Sequence, residues 1–382
     1  MNKNRLAVKV MAGLVSLALI VVVCLSNYFP VAAQNTPRNS PAPQAETAAT
    51  QPAAAKPEET RKPSLKSAPS IDKPTQVSLG FSVLNLGRIN QTDETFDISG
   101  FLYATWQDQR LAFDPNTVGD KVVRYTPEQI WEPALTIFNS QSAAKRGAVQ
   151  LTAQPDGTVN YLEQVNATVS SDFDFRKFPF ESQTATIIWE PLSVDAKGVV
   201  LQQNATATGY NKDSYVSLSE WQILGINTQL TSKKAEKEDK IYSRYIFEIK
   251  LKRNYQYYIF KVFIPLLLIT LISWTTFWMN PSAVFATQMT VGLTSTLTAI
   301  TFNFTVANAL PRVPYMTLMD AYIFISYLFF FSSIIANVTL HYLLTHHKQP
   351  ESVVGMLHKV RWIFPLAFIL AQATAMIIFL LR

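Results

Sequence analysis

Between Thr287 and Thr305 the chain carries seven threonines in a stretch with no charged residue. The charge-free run extends from Val262 to Pro311. A lipid-facing helix has no use for so many hydroxyls. At membrane depth they belong on helix contacts or along a water-filled path. At about 100° per residue, Thr290, Thr294, Leu297, Thr301, Phe304 and Asn308 fall within roughly 80° of one another. The order is polar, polar, apolar, polar, apolar, polar. Such a stripe suits the wall of a narrow pore with an apolar constriction. It equally suits a helix–helix seam that uses threonine as a hydrogen-bonding contact, and this helix alone leaves both readings open.

Other chemistry is thin. The four histidines, His341, His346, His347 and His358, have no ligand-like spacing, so no metal site is expected. The single cysteine, Cys24, sits in an apolar run and excludes any intrachain disulfide. There is no Gly-rich phosphate loop, no His–Glu metal motif and no serine elbow, so the sequence offers neither an enzyme nor a cofactor site. The formal charge is +6. It is not arranged as a basic stripe with base-stacking aromatics, which excludes nucleic acid as a partner.

The elements that must position the stripe follow from composition. Of 382 residues, 48% are hydrophobic and only 16% charged, with the apolar residues concentrated after Tyr255. Residues 1–33 read as an export signal: Lys3, Arg5 and Lys9, an apolar run from Val10 to Phe29, then Val31-Ala32-Ala33. Residues 34–74, rich in Ala, Pro, Thr and Gln, read as a disordered tether. Residues 75–254 alternate in the manner of strands, for example Val77, Leu79, Phe81 and Val83, and Tyr245, Phe247, Ile249 and Leu251. Turn signals such as Pro155-Asp156-Gly157 separate them. About ten strands predict an all-β, immunoglobulin-like sandwich.

Residues 255–382 predict a bundle of four transmembrane helices, at about Tyr257–Met279, Ser282–Asn308, Pro314–Leu344 and Val360–Leu381, each long enough to cross a bilayer. His346, His347, Lys348, Lys359 and Arg361 place the loop between the last two in the cytoplasm, and the β domain outside. This predicts a multi-pass protein of the plasma (inner) membrane, in contact with lipid. A transporter would show repeated helix sets, which are missing here.

An exported β-sandwich followed by four helices, the second lined by hydroxyls, resembles the pentameric ligand-gated ion channels, the Cys-loop receptor superfamily. The resemblance is strongest to their bacterial members, including the proton-gated type, and covers about Thr75 to Arg382. It rests on Trp106 to Leu111, on Trp131-Glu132-Pro133, on Phe178-Pro179-Phe180-Glu181, on Pro265, and on Leu310-Pro311 with Pro314-Tyr315. No cysteine flanks the Phe-Pro-Phe loop, as in bacterial members. Ala134 replaces the acid expected after the Trp-x-Pro motif, and Ala299 stands where the proton-gated type has a histidine.

The resemblance implies a homopentamer whose second helices line the pore, opened by a small extracellular ligand or by protons. It implies coupling between sandwich and pore through Glu181 and Arg253, with Asp93 or Glu94 completing the cluster and Arg312 and Pro314 in the receiving loop. It implies a ligand box near Phe138, Asn139, Leu192 and Tyr242. The pore mouth, Ala283 to Gln288, has neither the acidic ring of cation channels nor the basic residue of anion channels. Monovalent cations are expected by analogy with the bacterial members. An anion-selective or weakly selective channel, or a sensor that does not conduct, stands as the alternative.

Overall fold

The computed structural model describes residues 64–70, 73–192, 194–210, 220–235, 239–280, 283–346 and 350–381. The export signal, Cys24, most of the tether, and His347 and Lys348 lie outside the described residues.

Eleven strands form two sheets among the described residues. The first contains Val123–Tyr125 (β3), Lys145–Ala153 (β5), Thr158–Ser170 (β6), Thr95–Gln107 (β2), Thr75–Asn90 (β1) and Val199–Gln203 (β8), in that spatial order, with Gly209–Tyr210 (β9) also on β1. The second runs Trp221–Lys234 (β10), Ile241–Arg253 (β11), Ser182–Pro191 (β7) and Leu135–Ile137 (β4). β8 and β9 join β1 in parallel; the other pairings are antiparallel.

The alternation read from the sequence sets the inner faces. Val77, Leu79 and Phe81 of β1 are fully buried, as are Tyr245, Phe247, Ile249 and Leu251 of β11. Phe81 bridges the sheets, with its ring 5.6 Å from Trp189 of β7 and 5.2 Å from Phe247. Gly100 of β2 makes room for it, since a Cβ there would lie 2.6 Å from the Phe81 ring. Each such aromatic pair contributes about 0.5–1.5 kcal/mol beyond the area it buries. The Pro155-Asp156-Gly157 turn is present, with Gly157 at φ 83°, a conformation that favours glycine.

Four helices follow: Gln256–Trp278 (α1), Phe285–Val306 (α2), Leu318–His346 (α3) and Pro350–Leu381 (α4). By length and composition, α1, α3 and residues 354–381 of α4 could each cross a membrane. α2 is not among these three. At about 1.5 Å per residue its 22 residues span about 33 Å, but threonine dilutes its hydropathy. The expectation of four membrane-crossing helices is therefore met by three on this measure.

Helix ends also differ from the sequence reading. α3 begins at Leu318 rather than near Pro314. Thr317 caps it: the Thr317 N–H and hydroxyl donate to Asp320 Oδ2 at 3.0 and 2.7 Å, and the Asp320 N–H donates back to Thr317 Oγ1 at 3.2 Å. α4 begins at Pro350, ten residues before the expected Val360. α1 contains a π-helical stretch, Ile259–Phe263, just before Pro265. Proline lacks the N–H that would close the preceding turn. The Phe263 carbonyl accepts from the Tyr322 hydroxyl of α3 at 3.1 Å.

Candidate functional site

The last strand, β11, runs directly into α1, and Arg253 closes it. The Arg253 side chain is wholly buried and Glu181 is 2% exposed, with Arg253 Nε donating to Glu181 Oε1 at 2.5 Å. Arg253 Nη1 reaches Glu220 Oε2 at 3.2 Å and the Tyr258 hydroxyl at 3.4 Å. The guanidinium lies 4.2 Å from the ring centre of Trp221 and 4.8 Å from that of Phe178. Two aromatic faces and a carboxylate thus hold one buried cation. Burial pushes the Glu181 carboxyl above the usual range, against the opposing pull of Arg253.

Glu181 ends the loop after β6. That loop grips the helical region at four further points. The Phe175 N–H donates to the Tyr315 hydroxyl at 3.0 Å, and Arg176 stacks 4.8 Å over the Tyr315 ring. The Leu318 N–H, at the start of α3, donates to the Arg176 carbonyl at 2.9 Å. Lys177 Nζ donates to the Leu380 carbonyl at the end of α4 at 3.1 Å. Phe180 packs 5.3 Å from Tyr255 and 6.0 Å from Phe263. One loop therefore touches the start of α1, the linker before α3 and the end of α4.

Within the single chain, three placements add detail to the expected sites. The additional acid at Arg253 is Glu220; Asp93 and Glu94 are not among its ion pairs. Asp93 accepts instead from Asn90 Nδ2 at 2.7 Å within the β1–β2 turn. Glu94 sits in that turn at φ 52°, and burial and then Asp172 raise its pKa. The linker residue the sandwich holds is Tyr315. Arg312 is exposed and donates to Asn308 Oδ1 at 3.2 Å, and Pro314 is exposed beside it. The Pro314-Tyr315 motif was a signal for Tyr315 that the sequence reading did not use. At the ligand box, Asn139 is a structural residue. Its amide donates to the Ser170 and Thr186 carbonyls at 2.7 and 2.8 Å and accepts from the Ile188 N–H at 3.0 Å.

Phe138 and Leu192 are exposed and available, and Tyr242 is half-buried on β11. Phe138 lies over Arg244, whose guanidinium is 4.0 Å from the ring centre and paired with Glu190 at 2.5 Å. Arg244 and Glu190 escaped the sequence reading because only their cross-strand placement brings them together.

α2 is two-sided. Gln288, Gly292, Ser295, Ala299 and Val306 are buried. On the opposite side Thr290, Thr294, Leu297, Thr301, Phe304 and Asn308 are exposed, Leu297 by 65% and Phe304 by 73%. Thr290 and Thr298 return their hydroxyls to carbonyls one turn back, at 3.0 and 2.8 Å. The stripe thus makes no seam with its own chain. Gln288, which the sequence reading placed at the pore mouth, turns inward.

A β-sandwich that hands one buried ion pair to a helix bundle, with a hydroxyl-bearing face left uncovered, defines a membrane receptor of the channel type. The chain belongs to the neurotransmitter-gated ion-channel family. Residues 62–255 match the neurotransmitter-gated ion-channel ligand binding domain and residues 262–365 its transmembrane region. Among similar proteins, the proton-gated ion channel of Gloeobacter violaceus is 36% identical over 304 residues, covering 80% of this chain and 83% of that relative. The gamma-aminobutyric acid receptor subunit beta-4 of Gallus gallus is 24% identical over 274 residues, 71% of this chain and 56% of that relative.

Proposed function

We propose that this chain forms a homopentameric channel. Residues 75–254 stand outside the plasma (inner) membrane, and residues 255–382 cross it as four helices. The observation that carries this reading is the uncovered face of α2: a membrane helix that exposes a line of threonines, Leu297 and Asn308 is complete only when other copies pool the same face around water. Five Leu297 side chains would form the collar that dewets on closing. Force would pass from the sandwich through Glu181 and Arg253 into α1 and through Tyr315 into the linker. Asp93, Glu94, Arg312 and Pro314 would lie around that path. Phe138, Leu192 and Tyr242 would flank a ligand site between subunits.

The likeness to a proton-gated relative supports protons as an agonist, and cations are proposed as the permeant ions only by the resemblance to bacterial members. Ala299 excludes a mid-pore histidine, so the junction carboxylates Glu181 and Glu94, with their raised pKa values, become the sensors. Acid favours whichever arrangement holds these carboxyls most deeply buried. A weakly selective or anion-conducting pore is the second reading. The exposed residues at the foot of α2, Ala283, Val284, Ala286 and Thr287, carry no charge to sort ions.

Recording from the reconstituted protein between about pH 8 and about pH 4, across the carboxylate range, tests the proposal. An acid-evoked current that reverses near the cation equilibrium potential is expected. No current with protons or a panel of small ligands, in protein shown to be in the bilayer, would leave a sensor that does not conduct.

A further inference from the structure

Where the charge-free run packs against α3 lies a buried cluster of polar side chains outside the exposed stripe of α2. Ser273 and Thr276 of α1, Gln288 of α2, and Ser333 and Asn337 of α3 are each at most 1% exposed. Thr276 is their hub. Gln288 Nε2 donates to the Thr276 carbonyl at 2.8 Å and to the Met279 carbonyl at 3.3 Å. Asn337 Nδ2 donates to Thr276 Oγ1 at 2.9 Å, and Thr276 Oγ1 donates to the Ser273 carbonyl at 2.8 Å. Ser273 lies three residues before Thr276 and Ser333 four before Asn337, so each serine shares a helix face with a hub residue.

Four atoms of this cluster have no partner among the described residues: Gln288 Oε1, Asn337 Oδ1, Ser273 Oγ and Ser333 Oγ. In lipid a buried polar group left unpaired is costly, and four together amount to a strong demand for a guest. Turning over the Gln288 amide does not help, because its oxygen would then face two carbonyls. The inventory specifies the guest. The two amide oxygens only accept, and the two hydroxyls can donate. Water offers two protons to the first and two lone pairs to the second. A cation would find four neutral oxygens and no carboxylate, and would bury an uncompensated charge. An apolar molecule would leave all four atoms unpaired.

We propose that this cluster is a buried hydration site, holding one or two ordered waters that tie the foot of α2 to α1 and α3. If α2 lines a pore, as proposed above, the tie fixes its cytoplasmic end and leaves gating motion to the part beyond Ser295. There Ala299 and Val306 pack in an apolar cluster with Met319, Ile323 and Phe330 of α3, and the hydrogen bond to α3 among the described residues runs from the Tyr327 hydroxyl to the Ala299 carbonyl at 3.2 Å.

The test is a structure of the full chain in lipid at a resolution that shows ordered water. Solvent density within about 3.2 Å of both Gln288 Oε1 and Asn337 Oδ1 is expected. Asn337→Leu, which removes one of the two acceptors, should empty the site and lower the thermal midpoint of the assembled protein by several degrees. Either of two results overturns the proposal: a wild-type site without solvent, its oxygens paired with protein donors, or an anomalous signal from rubidium in the site. Density unchanged in Asn337→Leu also overturns it. None of these results depends on whether the protein conducts.

Discussion

Replacing Arg253 with Gln tests the junction most directly, because among the described residues Arg253 is the cation paired with Glu181. The Glu181 side chain is 2% exposed and Arg253 is wholly buried, so removing the guanidinium strands a carboxylate. Kept ionised, that carboxylate costs about 3–5 kcal/mol. It can instead take a proton. From a reference pKa near 4.3, protonation at pH 7 costs about 2.7 × 1.36, or about 3.7 kcal/mol. Burial already raises this carboxyl, which reduces the cost, so about 2–4 kcal/mol is the expected loss. The contacts of Arg253 with Trp221 and Phe178 are lost in every variant lacking the arginine, so they cancel in a double-mutant cycle with Glu181→Gln.

The cycle, read from thermal unfolding of the solubilised assembly, should show a coupling of about 1.5–3 kcal/mol. Glu220 adds little, because it is 63% exposed and meets Arg253 from the solvent side. The sign of the pH dependence follows from the raised pKa. Stability owed to Glu181 is fully present below the unfolded carboxylate value and is lost as pH rises through the folded one. The penalty of Arg253→Gln should therefore shrink on acidification, by up to about 1.4 kcal/mol per pH unit within that window. Additivity within about 0.5 kcal/mol, or a penalty that does not change with pH, would refute the buried pair.

Leu297→Thr should wet the proposed collar and shift the half-activating agonist concentration down about tenfold, equivalent to about 1.4 kcal/mol; unchanged gating in a surface-expressed variant would mean that Leu297 faces protein. Ala134 holds φ 45° in the loop where the family carries an acid, and Ala134→Gly should relieve about 1 kcal/mol of backbone strain. That gain would raise the unfolding midpoint by a few degrees, and a lowered midpoint would show that the methyl group is needed for packing.

The strands and the helices were legible because their periods survive burial: Val77 to Val83 alternate in the sequence and in the core alike. Glu220 was not legible. It meets Arg253 only through the register of β10 on β11, where Trp221 pairs with Arg253 across a bulge between Ile223 and Gly225. A bulge shifts register by one residue and exchanges the two faces, and no local pattern announces it. Glu163 of β6 lies on an inward position beside Tyr161, whose hydroxyl donates to it at 2.7 Å. The period of β6 carries it inside, where a carboxylate's hydropathy would favour the surface. α2 inverts the same rule. Its buried side is Gln288, Gly292, Ser295 and Ala299, small or amide side chains that admit close packing, while Leu293, Leu297, Ile300 and Phe304 stand exposed. Hydropathy alone would have turned this helix the wrong way round. The threonine stripe is the face that stands exposed, and water along it belongs to the proposed function. This helix packs its small face on its own chain and leaves its large one bare, and under the proposed function other copies of the chain would cover that face.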